Sequence, residues 1–233
     1  MLAVQGLNTH YGRAHILQSM DFEVAAGEAM VLLGRNGAGK STAMKSVIGL
    51  VRPTSGRILF GGRDIAGEAP HRIARLGLGY VPEDRRVFAD LTVMENLEVG
   101  RQPARDGLRP WTPARLFELF PNLGRMRDRP GGRMSGGEQQ MLTIARTLMG
   151  NPRLVLLDEP SEGLAPVIVQ AMAEAILALK AEGLTILLAE QNSHFAEGIA
   201  NRATVVEKGR AVWSGTMAAL RADEAVRAQY LAL

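Results

Sequence analysis

The glycine-rich segment at positions 34–41 constrains the fold most, because its chemistry requires a strand before it and a helix after it. It reads GRNGAGKS and fits the pattern G-x-x-x-x-G-K-[ST]. The apolar residues 30–33 before it predict a strand, and residues 41–50 after it predict a helix. Glycines let backbone N–H groups converge on phosphate oxygens, and a helix N-terminus adds a favourable dipole. The segment therefore predicts a phosphate-binding loop in an α/β domain.

Two side chains of this loop have distinct expected roles. Lys40 is expected to reach the β- and γ-phosphates of a nucleotide, and Ser41 is expected to ligate Mg²⁺. The residues predicted to contact the nucleotide are Gly34, Asn36, Gly37, Ala38, Gly39, Lys40, Ser41 and Thr42.

A second apolar strand, at residues 154–157, ends in the acids Asp158 and Glu159. Two acids at a strand end are often no more than a solvated edge. Beside a phosphate-binding loop, however, Asp158 can hold Mg²⁺ and Glu159 can accept a proton from an attacking water. Two acids rather than one favour a hydrolase over a kinase, because water needs a base close to the γ-phosphate.

Composition excludes several classes of protein. The 233 residues include no Cys, which removes disulfide scaffolds and thiol catalysis, and 46% apolar with 22% charged residues predicts one globular domain, or one with an inserted lobe. The net charge of +3 comes without a dense basic block, so we expect no nucleic-acid partner. No apolar run approaches the roughly 18 residues of a membrane span, and no signal peptide is evident at the start. We therefore expect a cytoplasmic protein.

The order of predicted elements favours an α/β fold with a parallel sheet. Strands are predicted at 2–7, 20–24, 30–33 and 57–60, so the first quarter is rich in β-structure. Helix starts at Thr92 and Thr112 mark a helical insert over roughly 88–150. Alternation then resumes with strands at 154–157 and 185–189, helices at 166–180 and 193–200, and a hairpin turn at 208–209. These apolar strands predict a sheet covered by helices on both faces.

The segment 134–138 reads MSGGE and precedes a predicted helix. Ser135 and Glu138 form a capping box, so a well-capped helix would explain those two residues. It would not explain Gly136 and Gly137, because glycine is a poor helix former. Their exposed N–H groups at a positive helix end predict a second anion site.

Together these segments resemble the nucleotide-binding subunits of ATP-binding cassette (ABC) transporters. Residues 34–42 are similar to the Walker A motif, 154–159 to the Walker B motif, and 134–138 to the family signature L-S-G-G-Q. The resemblance implies a P-loop NTPase (RecA-like) core with a mostly parallel sheet, an N-terminal antiparallel β-subdomain and an inserted helical subdomain. It divides the single domain 1–233 into 1–87 with 151–233, and 88–150. It also implies two subunits that enclose two ATP molecules, each held by Lys40 of one subunit and by Ser135 with Gly137 of the other.

The sequences of three loops resemble most closely those of the ATPase subunits of bacterial branched-chain amino acid importers. Importers of urea and short amides have similar ATPases. The loops are 79–88 (GYVPEDRRVF), 134–141 and 158–166 (DEPSEGLAP). Glu83 stands where most members have the Q-loop Gln, Gln191 where the switch His is usual, and Ala165 where an Asp is common. Glu83 is expected to position Mg²⁺ or water and to sense the transporter; an exposed loop acid is the alternative.

Two further residues have expected nucleotide contacts. Gln191 follows the strand at 185–189 and can donate its amide to a γ-phosphate oxygen. His194 is the rival for this role, although an ordinary helix histidine explains it as well. Tyr11 stands where the family stacks an aromatic ring on adenine, whereas simple packing is the alternative.

The leading hypothesis is thus an ATPase that drives an importer through separate integral membrane permease subunits. Its expected partner is a second ABC ATPase subunit. A heterodimer with a related chain is favoured, and a homodimer is the alternative. A periplasmic binding protein would act only indirectly. A soluble ABC ATPase of DNA repair or translation usually has a long coiled coil or two cassettes in one chain, and neither occurs here. A P-loop GTPase would need N-K-x-D, which the sequence lacks. The cargo is not specified by the sequence.

Overall fold

The computed structural model describes residues 1–105, 107 and 109–231. The β-strands are β1 Leu2–Tyr11, β2 Ala14–Val24, β3 Ala29–Leu33, β4 Ser55–Phe60, β5 Arg63–Asp64, β6 Leu78–Val81, β7 Leu154–Asp158, β8 Thr185–Glu190, β9 Arg202–Glu207 and β10 Arg210–Thr216. The α-helices are α1 Lys40–Val47, α2 Pro70–Leu76, α3 Val93–Gly100, α4 Pro113–Leu119, α5 Pro121–Gly124, α6 Gly136–Leu148, α7 Pro166–Ala181, α8 Ser193–Ile199, α9 Met217–Ala222 and α10 Glu224–Val226. A 3-10 helix covers Gly131–Arg133 and a π-helix covers Arg227–Leu231.

A six-stranded sheet in the order β10-β9-β3-β8-β7-β6 forms the centre of the fold. The pairs β9–β3, β3–β8, β8–β7 and β7–β6 are parallel, and β10 pairs antiparallel with β9. The predicted hairpin turn between these two is confirmed, with Lys208 at φ 47° and Gly209 at φ 77°. The carboxyl ends of β3, β8 and β7 therefore lie at one edge, where α/β sheets place their ligands.

The two faces of this sheet belong to two apolar clusters. Alternate residues along the strands point to opposite faces, so Val31 and Leu33 of β3 join one cluster while Met30 and Leu32 join the other. The first cluster includes the buried faces of α6, α7 and α8, and the second includes those of α1 and of strands β1, β2 and β4. Burial on both faces explains why these strands show no polar alternation in the sequence.

A four-stranded antiparallel sheet, ordered β2-β1-β4-β5, covers the side of the central sheet that faces α1. This confirms the expected antiparallel β-region at the N-terminal end of the chain. Strand β2 passes close to the phosphate loop: a Cβ on Gly39 would lie 3.0 Å from Leu17 Cδ2.

The helices α3–α6 lie in the stretch predicted as the helical insert. The capping box at Thr92 and Glu95 and the cap at Thr112 are present as predicted. Asn96 is fully buried and fixes the loop before α3, because its Nδ2 donates to three backbone oxygens, those of Phe88, Leu91 and Thr92. Apolar residues of these helices belong to the same cluster as residues of the central sheet. The division of the chain at 88 and 150 stays a prediction.

Some predicted boundaries were wrong. Helix α1 ends at Val47 rather than at position 50, because Gly49 takes φ 79° just beyond it. Strand β2 begins at Ala14, six positions before the predicted start at 20, and β1 continues to Tyr11. Strand β6 and helix α2 were not predicted at all, since each is short and lacks a marked apolar period.

Candidate nucleotide-binding site

The phosphate loop joins β3 to α1, and its lysine is held from three directions. Lys40 Nζ donates to the backbone oxygens of Gly34 at 2.8 Å and Arg35 at 3.1 Å, and lies 3.0 Å from Glu159 Oε1. The loop requires glycine where Gly39 takes φ 112°, and at Gly34, where a Cβ would lie 2.3 Å from Val206 O. Only 2% of the Lys40 side chain is exposed, so this positive charge is directed at the loop.

Ser41 and Asp158 meet at the start of α1. Ser41 Oγ donates to Asp158 Oδ1 at 2.8 Å, and the phenol of Tyr80 donates to Asp158 Oδ2 at 2.9 Å. Both oxygens of the carboxylate are therefore engaged, which fixes its orientation. Tyr80 is carried by β6, where it pairs in register with Leu156 of β7.

The electrostatics of this pair follow from burial. Burial raises the pKa of Asp158, and the hydrogen bonds from Ser41 and Tyr80 act in the opposite direction. Burial and the charge of Asp158 raise the pKa of Tyr80 far above its ordinary value. The phenol is therefore a neutral donor at any physiological pH.

Glu159 follows Asp158 in an unusual backbone conformation. Its φ is 46°, in the left-handed region that costs a non-glycine residue about 1–3 kcal/mol, and its N–H donates to Ala189 O at 2.9 Å. This turn directs the side chain to Lys40. Burial alone would raise the pKa of Glu159, but hydrogen bonding with Glu162 and the ammonium of Lys40 together hold it below its ordinary value.

Glu162 lies beside Glu159 and carries the proton of the pair. The hydrogen bond with Glu159, then burial, then the charges of Glu159, Glu83 and Glu190 raise the pKa of Glu162 to about 7. Its backbone N–H also donates to Glu159 O at 3.2 Å. The charge of Glu83 reaches this group because β6 and β7 are adjacent; Glu83 itself is exposed in the loop after β6.

Glu190 ends β8 and is 2% exposed. Its carboxylate accepts hydrogen bonds from the backbone N–H groups of Ser161, Gln191 and Asn192, each at 3.2 Å. Gln191 is half-buried at this sheet edge, whereas His194 is exposed on α8. Burial raises the pKa of Glu190, and the bonds from Ser161 and Asn192 partly offset this.

The Ser135–Glu138 group lies apart from these residues within one chain. The predicted capping box is present, with Ser135 N–H donating to Glu138 Oε2 at 2.7 Å and the Glu138 N–H directed at Ser135 Oγ at 3.4 Å. The two glycines are required by packing: a Cβ on Gly136 would lie 2.7 Å from Arg85 Nη1, and one on Gly137 would lie 2.5 Å from Ile168 Cγ2. Their N–H groups have no intrahelical acceptor in a first turn, and the anion site stays a prediction.

Tyr11 lies at the end of β1, and 47% of its side chain is exposed. It pairs with Ala14 across the β1–β2 turn. The other strand of this hairpin passes the phosphate loop at Gly39, so the ring is available as a stacking surface on that side of the site. The stacking role of Tyr11 stays a prediction.

The residues at the sheet edge fit Mg²⁺ bound together with a nucleotide. Ser41 Oγ and an Asp158 oxygen lie within 2.8 Å of each other, and Mg²⁺ is usually held by one or two protein oxygens together with substrate phosphates. Among the described residues, no group of three or more His, Asp or Glu could hold a metal by itself. The donor set therefore suits a metal that arrives with phosphate.

Three residues of this site were missed in the sequence: Tyr80, Glu162 and Glu190. Glu190 had a usable signal, since it is an acid at the end of an apolar strand, like Asp158. Tyr80 and Glu162 had none, because their partners are known only once β6 is placed beside β7.

The fold and site define a P-loop ATPase cassette. A family profile described as ABC transporter matches residues 17–162. The high-affinity branched-chain amino acid transport ATP-binding protein BraG of Pseudomonas aeruginosa is 44% identical over 99% of both chains. The lipopolysaccharide export system ATP-binding protein LptB of Acidithiobacillus ferridurans is 35% identical over 99% of this chain and 96% of that one.

Solved structures agree. A crystal structure of a nucleotide-free ATP-binding cassette from an ABC transporter has a TM-score of 0.83 and 25% identity, and the match covers 97% of this chain and 96% of that chain. The protein therefore belongs to the ABC transporter family, in which it is an ATP-binding, ATP-hydrolysing subunit. Such subunits dimerise and work with membrane permeases. In the part of the chain that the structure describes, no helix has both the length and the apolarity to cross a membrane.

Proposed function

We propose that this chain is the ATPase subunit of an importer for branched-chain amino acids. The observation that carries the ATPase chemistry is the convergence of Lys40, Ser41, Asp158 and Glu159 at one sheet edge, with contacts of 2.8–3.0 Å. The importer assignment is supported by the 44% identity to BraG over almost the whole of both chains.

The proposed reaction uses these side chains as follows. Lys40 binds the β- and γ-phosphates, while Ser41 and Asp158 hold Mg²⁺, which neutralises phosphate charge when bound. Glu159 accepts a proton from the attacking water, and its lowered pKa keeps it ionised for that purpose. Gln191 donates to the γ-phosphate, and Tyr11 stacks on adenine.

A second cassette completes each site in this proposal. Within one chain, Ser135 caps α6 and Gly137 packs against Ile168, and neither is directed at the phosphate loop. Ser135 is exposed, so its hydroxyl is accessible to a partner subunit. Two chains that face each other would bring Ser135 and Gly137 of one to the ATP held by Lys40 of the other. A related but distinct ATPase is the favoured partner.

We place the complex at the inner face of the bacterial plasma membrane, bound to integral membrane permeases. The loop at 82–92 suits this contact, because it carries the exposed residues Glu83 and Phe88 and is fixed to α3 and α6. Asn96 holds its carboxyl end, and Thr143 Oγ1 donates to Arg85 O at 2.7 Å. A movement of this loop would therefore reach the signature helix α6.

A second candidate function is the driving of lipopolysaccharide export. It is favoured by the 35% identity to LptB over 99% of this chain and 96% of that relative. An importer of urea or short amides is a third candidate, supported by the sequences of the loops at 79–88, 134–141 and 158–166.

The test is an in-frame deletion of the gene, followed by uptake of radiolabelled leucine, isoleucine and valine. Uptake should fall and should return with the wild-type chain but not with Lys40→Ala, which loses the phosphate contact. Urea uptake and surface lipopolysaccharide are measured in the same strains. Normal amino acid uptake together with a lipopolysaccharide or urea defect would overturn the importer assignment while the ATPase assignment stands.

A further inference from the structure

The carboxylate of Glu190 is buried beside the proposed nucleotide site, although no contact with the nucleotide or Mg²⁺ is assigned to it in the proposed reaction. Glu190 is 2% exposed at the end of β8. A charge removed from water in this way is costly unless it is hydrogen-bonded or paired. The hydrogen-bond partners of the Glu190 carboxylate therefore indicate its role.

This carboxylate accepts hydrogen bonds from the backbone N–H groups of two different loops. Oε1 accepts from Ser161 at 3.2 Å, in the loop that follows the proposed base. Oε2 accepts from Gln191 and Asn192 at 3.2 Å, in the loop that carries the proposed γ-phosphate donor. The two oxygens thus bridge two functional segments that are far apart in sequence.

The backbone of the same strand end extends the bridge to the phosphate loop. Gly34 N–H donates to Glu190 O at 3.3 Å, and Glu159 N–H donates to Ala189 O at 2.9 Å. In register, Glu190 lies beside Leu33 of β3, and Ala189 lies beside Asp158 of β7. Residues 189 and 190 therefore contact the start of all three loops at this edge.

We propose that Glu190 is a positioning residue for hydrolysis: its carboxylate holds the loop after Glu159 and the loop of Gln191 in one fixed relation. This inference rests on the proposed function of Glu159 and Gln191. Glu190 does not itself meet phosphate or water in the proposal. Its loss releases the N–H groups of Ser161 and Asn192, so the base and the γ-phosphate donor move independently.

The need for a carboxylate follows from the two-sided geometry. Both oxygens accept, one towards each loop, whereas a glutamine offers one acceptor oxygen and an NH₂ that would face an N–H donor. Glu190→Gln should therefore keep one arm of the bridge, and Glu190→Ala should keep neither. The matched control is Glu207→Gln, because Glu207 ends the strand β9 of the same sheet, is 46% exposed, and among the described residues has its ion-pair partner in Lys208 at 3.9 Å.

The experiment uses the full chain and two independent readouts. Hydrogen exchange by mass spectrometry should show faster exchange in segments 159–165 and 190–193 of both Glu190 variants, and no change in Glu207→Gln. ATPase assays should show kcat reduced about 10-fold in Glu190→Gln and about 100-fold in Glu190→Ala, since a misplacement of about 1 Å at a site can cost that much. KM for ATP and ADP binding should change less than about 3-fold, because the phosphate loop binds the nucleotide.

The outcomes separate the possibilities. Unchanged exchange in both segments, or wild-type kcat in a folded Glu190→Ala, would overturn the proposal. An equal loss of kcat, ADP affinity and thermal stability would also overturn it, because that is a purely structural role. If Glu190→Ala does not fold, Glu190→Gln decides by the same criteria. Absence of hydrolysis by the wild-type chain in its assembled complex would instead reject the proposed function, and the exchange data would still decide whether Glu190 joins the loops.

Discussion

The ammonium of Lys40 lies 3.0 Å from the carboxylate of Glu159, with only 2% and 9% of the two side chains exposed. The residue proposed to bind the γ-phosphate is therefore paired with the proposed base. Phosphate oxygens compete with Glu159 for the same ammonium, so nucleotide binding should weaken the ion pair and free the base. Nucleotide binding to the phosphate loop would in this way make Glu159 available as the base.

Glu159→Gln should retain ATP binding and reduce hydrolysis by about 10²–10⁴-fold, because an amide cannot accept the proton of water. Asp158 and Ser41 stay in place, so Mg²⁺ binding should persist. A dimer should then accumulate in the presence of ATP, and size-exclusion chromatography detects it. Phosphate release measures turnover. Turnover at the wild-type rate would remove Glu159 as the base.

Tyr80→Phe should weaken binding of Mg²⁺ with the nucleotide. The phenol donates to Asp158 Oδ2 at 2.9 Å and orients this expected metal ligand, and loss of such a supporting hydrogen bond typically lowers metal affinity by about tenfold or more. Titration calorimetry with ATP should show weaker binding with Mg²⁺ and little change in EDTA.

The control for this variant is Tyr230→Phe, which removes a phenol hydroxyl near the C-terminal turn. Tyr230 packs its ring against the apolar cluster, so the substitution keeps the contact. Equal losses of affinity with and without Mg²⁺ in Tyr80→Phe would contradict a role through Asp158.

Glu162→Gln should change the pH dependence of stability. The pKa of Glu162 is about 7 in the folded protein against an ordinary value of 4.5, so folding takes up a proton between these values. The stability this contributes is complete below about 4.5 and is lost as pH rises through about 7. The variant should match the wild type below about pH 4.5, gain on it as pH rises from about 4.5 to 7, and keep the full difference above about pH 7.

Thermal unfolding of both chains between about pH 4.5 and 8 measures this difference. Glu162→Gln keeps a side chain that can hydrogen-bond Glu159 and removes only the titration. A difference in melting temperature that does not vary with pH would show that Glu162 is not the group that holds the proton.

The phosphate loop could be predicted because its chemistry is local. The glycines, Lys40 and Ser41 occupy consecutive positions, and one strand and one helix fix their geometry. Asp158 and Glu159 were predictable for a similar reason, as acids at the end of an apolar strand. In a parallel sheet such strand ends meet at one edge, so the sequence was sufficient to bring them to the loop.

The rest of the site depends on long-range pairing that local patterns do not encode. Tyr80 reaches Asp158 only because the unpredicted strand β6 lies beside β7. Gly136 and Gly137 were interpreted through their N–H groups, whereas the structure gives them a packing role against Arg85 and Ile168. Those contacts join segments about 30–50 positions apart in the sequence, which no single-sequence period reveals.

Ser135→Arg should leave ATP binding to the single chain nearly intact and abolish ATP-dependent dimerisation and turnover. Ser135 contacts its own helix and not the phosphate loop within one chain, and a bulky side chain there would block a facing subunit. Ser135→Ala is the control, since it loses the helix cap, worth about 1 kcal/mol, without adding bulk. Loss of ATP binding by a folded Ser135→Arg monomer would contradict the two-subunit site.

The choice between Gln191 and His194 is decided by pH as well as by activity. Gln191 is half-buried beside the bridge of Glu190, whereas His194 is exposed on α8. A histidine in this role titrates near about 6.5, whereas a glutamine donor has no titration. Hydrolysis should therefore show no step between about pH 6 and 8 that depends on position 191.

Gln191→Ala should slow hydrolysis by about 1.5–3 kcal/mol in the transition state, the range for a hydrogen bond to a charged group. ADP binding should scarcely change, because ADP lacks the γ-phosphate. His194→Ala, assayed in parallel, should hydrolyse ATP at the wild-type rate across the same pH range. Should His194→Ala lose hydrolysis while Gln191→Ala keeps it, the γ-phosphate donor is on α8 and the bridge from Glu190 to Gln191 serves another purpose.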